Sequence, residues 1–262
     1  MMKQLRFWSM VTISAMTLGF LFCSESHAAI PTGNGDAVAP VNESGERTCG
    51  VDNKNDVNED VTRGLIAYYN FDDCSANNSA GMQNNGVING KTRFIDDTPN
   101  GRGKALYLDQ EAFVNVARNP IKGKESYTIS MWVKDFGAGY LFSTGANHSY
   151  SVPSIYITPE GKVNFSKSFE SFSYYAESLQ SSGWHMITLV QTGEGFELYV
   201  DGALVDNNNN REAVVGNKMQ FGGRNDISYD AWADPFKVDN VRIYGVALTE
   251  AEVGQLYNYE RK

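Results

Sequence analysis

Histidine and cysteine are scarce in this chain, three of each in 262 residues. Neither type falls at the ligand spacing of a zinc site. His148 and His185 leave a Ser-His-Asp arrangement open, but no neighbouring motif supports one. Long apolar runs are absent beyond the first 22 residues, so nothing later reads as a membrane-spanning helix. Helical periodicity is missing until the last dozen residues. Positive charge is also short: 22 Lys and Arg stand against 31 Asp and Glu, a net charge of −9. That balance argues against nucleic acid and anionic membranes as partners. It suits solubility and divalent cations, though acidity alone is a weak sign of either.

The N-terminus gives the compartment. Lys3 and Arg6 flank the start of an apolar run from Phe7 to Phe22, and Ser26-His27-Ala28 sets small residues where a signal peptidase reads. The pattern predicts a signal peptide over residues 1–28, cut between Ala28 and Ala29. Two alternatives fit less well. A membrane anchor wants a longer unbroken run, and Ser9, Thr12, Ser14 and Thr17 interrupt this one. A lipoprotein leader wants a small residue before Cys23, where Phe22 stands. The expected location is secreted, periplasmic or cell-surface, with no membrane span after cleavage. Cys49 and Cys74 then remain, and an exported chain with two thiols is expected to pair them. The bond would close a loop of about 25 residues, worth about 3 kcal/mol in the chain-entropy model.

Residues 29–62 are rich in Gly, Asn, Asp, Glu and Pro and poor in large apolar side chains, which predicts an acidic flexible linker. Asp56-Val57-Asn58-Glu59-Asp60 starts like a calcium loop, but Val61 and Ala67 stand where the EF-hand pattern wants Gly and Glu. Residues 63–262 read as one domain of short strands. Tyr127, Ile129, Met131 and Val133 alternate with Thr128, Ser130 and Trp132, the period of a strand. Trp184–Val190 and Phe196–Val200 flank Thr192-Gly193-Glu194-Gly195, a hairpin loop. Further runs lie at Leu65–Phe71, Ala105–Leu108, Phe113–Val116, Tyr140–Ser143, Ser154–Ile157, Val163–Ser166, Met219–Phe221 and Val238–Tyr244. Ten or more such strands predict an all-β, two-sheet antiparallel sandwich. Thr249 and Glu252 form a capping box ahead of Val253, Leu256 and Tyr257, which predicts one short C-terminal helix.

Five segments in order resemble bacterial laminin G-like modules of the concanavalin A-like lectin and glucanase superfamily, a jelly-roll fold. They are Gly64–Asp72, Asn77–Gly86, Tyr127–Val133, Gly183–Ile187 with Leu198–Gly202, and Asp239–Tyr244 with Ala247–Thr249. The resemblance spans about residues 64–259. It implies a structural calcium between the first and last strands, with Asp72 and Asp239 as ligands and loop carbonyls completing the set. Asp73 occupies a place where the family often has Gly, so either aspartate of the pair is a candidate. By its spacing, Asp239 stands in phase with Val241 and Ile243 and is expected to begin on the inward side. The alternative is Asp72 capping a turn and Asp239 bonded to backbone or to Arg242.

Hydrolases of this fold carry Glu-x-Asp-x-x-Glu on one strand, and no predicted strand here has it. Related lyases need a Gln-x-His that is missing, although Arg242 and Tyr244 share a strand. The expected function is therefore a non-catalytic recognition module for glycan or an extracellular protein. A polysaccharide hydrolase or lyase, and a structural component of a surface assembly, are the competing readings. Candidate ligand-binding residues are His148 and Tyr150 in one polar aromatic loop, Tyr174 and Tyr175 after a Phe-rich stretch, and Tyr229 and Trp232 near the last strand. Aromatic faces with amide and hydroxyl neighbours suit sugar rings. Trp132 and Trp184 are expected to be core or half-buried aromatics instead.

Overall fold

In the computed structural model, the described residues are Cys49, 61–145, 153–166, 178–179, 182–209, 214, 216–225 and 230–261. All belong to one unit, Ala39–Lys262. The predicted signal peptide, nearly all of the predicted linker, and His148, Tyr150, Tyr174, Tyr175 and Tyr229 lie outside the described residues.

Among the described residues, alternation of apolar and polar residues produces sixteen strands. They are β1 Leu65–Tyr69, β2 Gly86–Asn89, β3 Thr92–Ile95, β4 Ala105–Leu108, β5 Phe113–Val116, β6 Tyr127–Lys134, β7 Gly139–Ser143 and β8 Ser154–Ile157. Then follow β9 Val163–Ser166, β10 His185–Gln191, β11 Phe196–Val200, β12 Ala203–Asn208, β13 Met219–Phe221, β14 Gly223–Asn225, β15 Asp230–Trp232 and β16 Phe236–Tyr244. One helix, α1, spans Glu250–Glu260. An eight-stranded sheet runs β12-β11-β10-β6-β16-β4-β3, with β1 also paired to β16. A six-stranded sheet runs β2-β5-β13-β7-β8-β9, and β14 and β15 form a separate hairpin. Every pairing is antiparallel. The expected two-sheet sandwich with a short C-terminal helix is the observed architecture.

The two sheets bury one apolar layer between them. Tyr127, Ile129, Met131 and Val133 enter it from β6, and Val114, Phe142, Ile155 and Phe221 from the opposite sheet. The other face of β6 is buried as well. Trp132 joins Met186, Val190, Tyr199 and Tyr244 in a second apolar cluster beneath α1, which contributes Val253 and Leu256. The helix begins where the sequence signals it. Thr249 accepts from the Glu252 backbone N–H, and the Glu252 side chain accepts from the Thr249 N–H. Arg63 adds a 2.6 Å ion pair to Glu252, fixing the start of the domain to the start of the helix. The expected Cys49–Cys74 disulfide is present, with Cα atoms 5.5 Å apart. A structural disulfide points to a compartment outside the cytoplasm. Among the described residues no helix is long and apolar enough to cross a membrane.

Asn207 and Asn208 complete β12 and pair with Glu197 and Phe196. Asp201 and Gly202 form the turn between β11 and β12. Both residues have positive φ, 53° and 80°, as a tight hairpin turn requires.

Candidate functional site

Two places in the sandwich gather polar groups that the fold alone leaves unexplained. The first is the midpoint of β16. Phe236 and Val238 point into the inter-sheet core, and so do Val241 and Ile243. The phase therefore slips by one residue between them. Asn240 takes a positive φ of 47° and the register with β6 shifts between Asp239 and Arg242, which is a β-bulge. The slip coincides with a change of partner, since β4 pairs with Phe236–Val238 and β1 with Val241–Tyr244. Asp239 is consequently not in phase with Val241 and Ile243, contrary to the sequence expectation. It stands opposite Trp132 in the register, on the face that α1 covers.

Asp239 is 3% exposed. Burial, reinforced by the nearby Asp72 carboxylate, pushes its carboxyl well above the usual range. Its Oδ1 accepts the Asn240 N–H at 2.7 Å. Among the described residues no cation lies within ion-pair distance of it. Asp72 accepts the Lys104 N–H at 2.7 Å and the Asn70 side-chain amide at 3.1 Å. Gly103 lies so close that a Cβ there would stand 1.8 Å from Asp72 Oδ1. Asp73 is turned to its own loop, accepting from Ser75 N–H, Ser75 Oγ and Asn77 Nδ2. Asp72 thus bears on Asp239 electrostatically, while Asp73 is engaged in its own loop. Two mutually repelling carboxylates, one of them buried, fit a hard cation with oxygen preference. No group of three or more His, Cys, Asp or Glu is gathered for a metal among the described residues, so the remaining ligands would have to be carbonyl or amide oxygens.

Beside this pair lies a buried ion pair. Arg242 is 1% exposed, its Nε 2.5 Å from Glu260 Oε1, while Glu260 Oε2 accepts from Trp132 Nε1 at 2.7 Å. The Arg242 guanidinium also covers the Tyr68 ring at 3.7 Å. These contacts fasten the end of α1 to the large sheet.

The second place is the outward face of the six-stranded sheet. Register places Asn115 opposite Gln220, Gln220 opposite Ser143, and Ser143 opposite Ser154. Their strand neighbours Val114, Val116, Met219, Phe221, Phe142 and Ile155 fill the core, so the four polar residues share the other face. One step along, Tyr140 pairs with Tyr156 and Tyr156 with Asn164. The two tyrosine rings are 4.9 Å apart and tilted by 59°, and both are partly exposed. Ser143 Oγ donates to the Gly223 carbonyl at 2.9 Å. Ser154 Oγ, Gln220 Nε2 and Asn164 Oδ1 are buried atoms without a hydrogen-bond partner. Each such group costs about 1–3 kcal/mol when left unpaired, and three on one face is a concentration.

Of the predicted ligand-binding residues only Trp232 is described. It is half-buried and stacks on Phe113 at 5.1 Å, at the margin of this row. Trp132 is buried and Trp184 is half-buried, donating to Asp97 Oδ1 at 3.0 Å, so both are structural as expected. His185 is also engaged structurally: its Nδ1 lies 2.7 Å from Asp201 Oδ2, and Asp201 Oδ1 accepts the Met186 N–H. Sequence reasoning missed the polar row. The signal was there, in Asn115, Gln220, Ser154 and Asn164 as the polar members of alternating strands, but only register aligns them.

No curated protein matches the chain. Solved structures share its fold. Domain 4 of AbnA, a GH43 extracellular arabinanase from Geobacillus stearothermophilus, in complex with arabinotriose, superposes with a TM-score of 0.61 at 20% identity, covering 74% of this chain and 98% of that one. A botulinum neurotoxin type C structure, whose cell entry depends on two ganglioside molecules, has a TM-score of 0.57 at 18% identity, with 76% and 52% covered. The binding domain of botulinum neurotoxin DC in complex with SialylT has a TM-score of 0.54 at 15% identity, with 74% and 51% covered. The chain spans about half the length of these toxin structures. A family model described as the concanavalin A-like lectin/glucanases superfamily matches residues 108–254. Because that match takes in more than half of the chain, the protein belongs to the concanavalin A-like lectin/glucanases superfamily.

Proposed function

We propose that the protein is an exported, non-catalytic glycan-binding module, with the outward face of the six-stranded sheet as its binding surface. One observation carries this reading: the Tyr140–Tyr156 ring pair is partly exposed on a face where Asn115 and Asn164 are partly exposed too. Sugar hydroxyls pair with exposed amides, and sugar C–H faces pack on aromatic rings. Solved neighbours bound to arabinotriose and SialylT, at matching fold, support it. So does the composition of the row, which holds amides and hydroxyls and none of the paired carboxylates that glycoside hydrolysis uses.

Calcium has a structural part in the same proposal. Asp72 and Asp239 would hold it, and its charge would relieve the repulsion between them. It would brace the bulge where β16 changes partner, on the far side of the sandwich from the sugar face.

The test is a glycan array probed with the mature chain, with and without chelator, alongside an assay for new reducing or unsaturated ends. Binding without turnover is expected. Release of ends from any polysaccharide would refute the non-catalytic reading, and an array with no binder would refute the glycan reading.

A further inference from the structure

Asparagine is a thermolabile residue, and how fast it reacts depends on the residue after it. When that residue is Gly, its main-chain nitrogen reaches the side-chain carbonyl carbon with no Cβ in the way. The sequence has Asn85-Gly86, Asn89-Gly90 and Asn100-Gly101, and also Asn34-Gly35, which lies outside the described residues. Sequence ranks these pairs alike; the fold does not.

Two of them are locked in β2. The Gly86 N–H donates to the Ala76 carbonyl at 2.7 Å, and Gly86 pairs with Val116. Asn85 Oδ1 accepts the Asn78 N–H at 3.0 Å. Asn89 pairs with Phe113, and its Nδ2 donates to the Val87 carbonyl at 2.8 Å. A Cβ on Gly90 would stand 2.8 Å from Ala112 Cα, so the main chain there has no room to turn. Asn100 is placed differently. It sits in the turn 98–101 of the β3–β4 loop, where the Gly101 N–H reaches the Thr98 carbonyl only at 3.4 Å. Gly101 is exposed, with nothing within 4 Å of where a Cβ would be. Asn100 Oδ1 accepts the Arg102 N–H at 2.9 Å. That bond polarises the carboxamide carbon. It also closes a ring that contains the Gly101 nitrogen, which keeps electrophile and nucleophile close.

We propose that Asn100 is a self-modification site, converted by water to aspartate and isoaspartate in the folded protein. The Gly101 amide gives its proton to a solvent base, and its nitrogen bonds to Asn100 Cγ. The Cγ–Nδ2 bond breaks, and the departing nitrogen takes up a proton and leaves as ammonia. A five-membered succinimide remains. Water then opens it: attack at Cγ gives aspartate, and attack at the main-chain carbonyl carbon gives isoaspartate. One water is consumed, one ammonia is released, and nothing is oxidised or reduced.

The product bears on Asp72. Isoaspartate routes the main chain through Cγ, one atom longer, and leaves a carboxylate as a branch. Just beyond it the loop clasps Asp72: the Lys104 N–H donates to Asp72 Oδ1 at 2.7 Å, and Gly103 leaves no space for a Cβ beside that oxygen. A longer chain in this loop loosens the clasp.

The experiment incubates the mature protein, native and in urea, at mildly alkaline pH, then reduces it and digests it with trypsin. Cleavage after Arg63, Lys91, Arg93 and Arg102 separates peptide 94–102, with Asn100, from peptide 64–91, with Asn85 and Asn89. Mass spectrometry reads the gain of one mass unit, and isoaspartyl methyltransferase labels the isoaspartate. In the native protein, peptide 94–102 should gain it about tenfold faster or more, the protection that structure gives a hydrogen-bonded strand amide. In urea the gap should close. Asn100→Ser keeps an oxygen for the Arg102 N–H and should leave peptide 94–102 unmodified. In the isoaspartate form, the Lys104 amide should exchange its hydrogen about tenfold faster, as for one lost hydrogen bond to a charged group. Equal rates in the native protein, or a faster peptide 64–91, would overturn the site. A gap that persists in urea would overturn the role given to the fold. Unchanged exchange at Lys104 would overturn the link to Asp72.

Discussion

Replacing Glu260 with alanine tests the buried latch on α1. Glu260 and Arg242 side chains are each 2% exposed, and the carboxylate serves two donors, Arg242 Nε and Trp132 Nε1. Its removal strands a guanidinium that already has one unpaired nitrogen, Nη1. Breaking a buried ion pair from one side costs about 3–5 kcal/mol. At about 2–4 °C per kcal/mol for a domain of this size, Tm should fall by roughly 6–20 °C. Thermal unfolding followed by circular dichroism measures this, and Trp132 fluorescence reports the local loosening. The double variant Arg242→Met with Glu260→Leu separates pairing from packing. It removes both charges at similar volume and should recover most of the loss. A Glu260→Ala variant that melts within about 2 °C of the parent would refute the reasoning, because no buried charge would then have lost its partner.

Two further outcomes follow from the electrostatics. In Asp97, burial pushes the carboxyl up, but Lys134, Lys237 and Trp184 outweigh it and hold the carboxyl down to about 2; in Glu252, Arg63 does so, also to about 2. Both folded values lie below the unfolded ones, so their stabilisation is present above about pH 4.5 and fades as pH falls towards 2. Partial exposure limits each to on the order of 1 kcal/mol, and Asp97→Asn should flatten the fall of Tm over that window, whereas an unchanged slope would contradict the assignment. For the proposed calcium, adding the ion to chelator-treated protein should raise Tm by a few degrees, and Asp239→Asn should abolish that response while Asp73→Asn preserves it.

Much of the fold was legible because the strands alternate cleanly. Phe113–Val116, Ser154–Ile157, Phe196–Val200 and Met219–Phe221 fall where the period-two pattern places them. The strands that escaped notice are β2, β3, β12, β14 and β15; β2, β3 and β12 carry mostly half-exposed or exposed residues, so their alternation is faint. The face of Asp239 was misread for a different reason. A bulge adds one residue to a strand, and a single insertion reverses every later side chain. Asn240 is a residue type that tolerates a positive φ, yet the chain is full of asparagines, and the one that bulges is fixed by the exchange of β4 for β1 along β16. The polar row escaped for the same class of cause. Its members come from four strands spread from Asn115 to Gln220, and each alone is an ordinary polar residue facing away from a core. Local pattern says which side chains leave the core; only long-range pairing says which of them meet. A polar row assembled from strand centres is therefore harder to read than a contiguous loop, and this is why the aromatic loops drew attention while Ser154 and Gln220 did not.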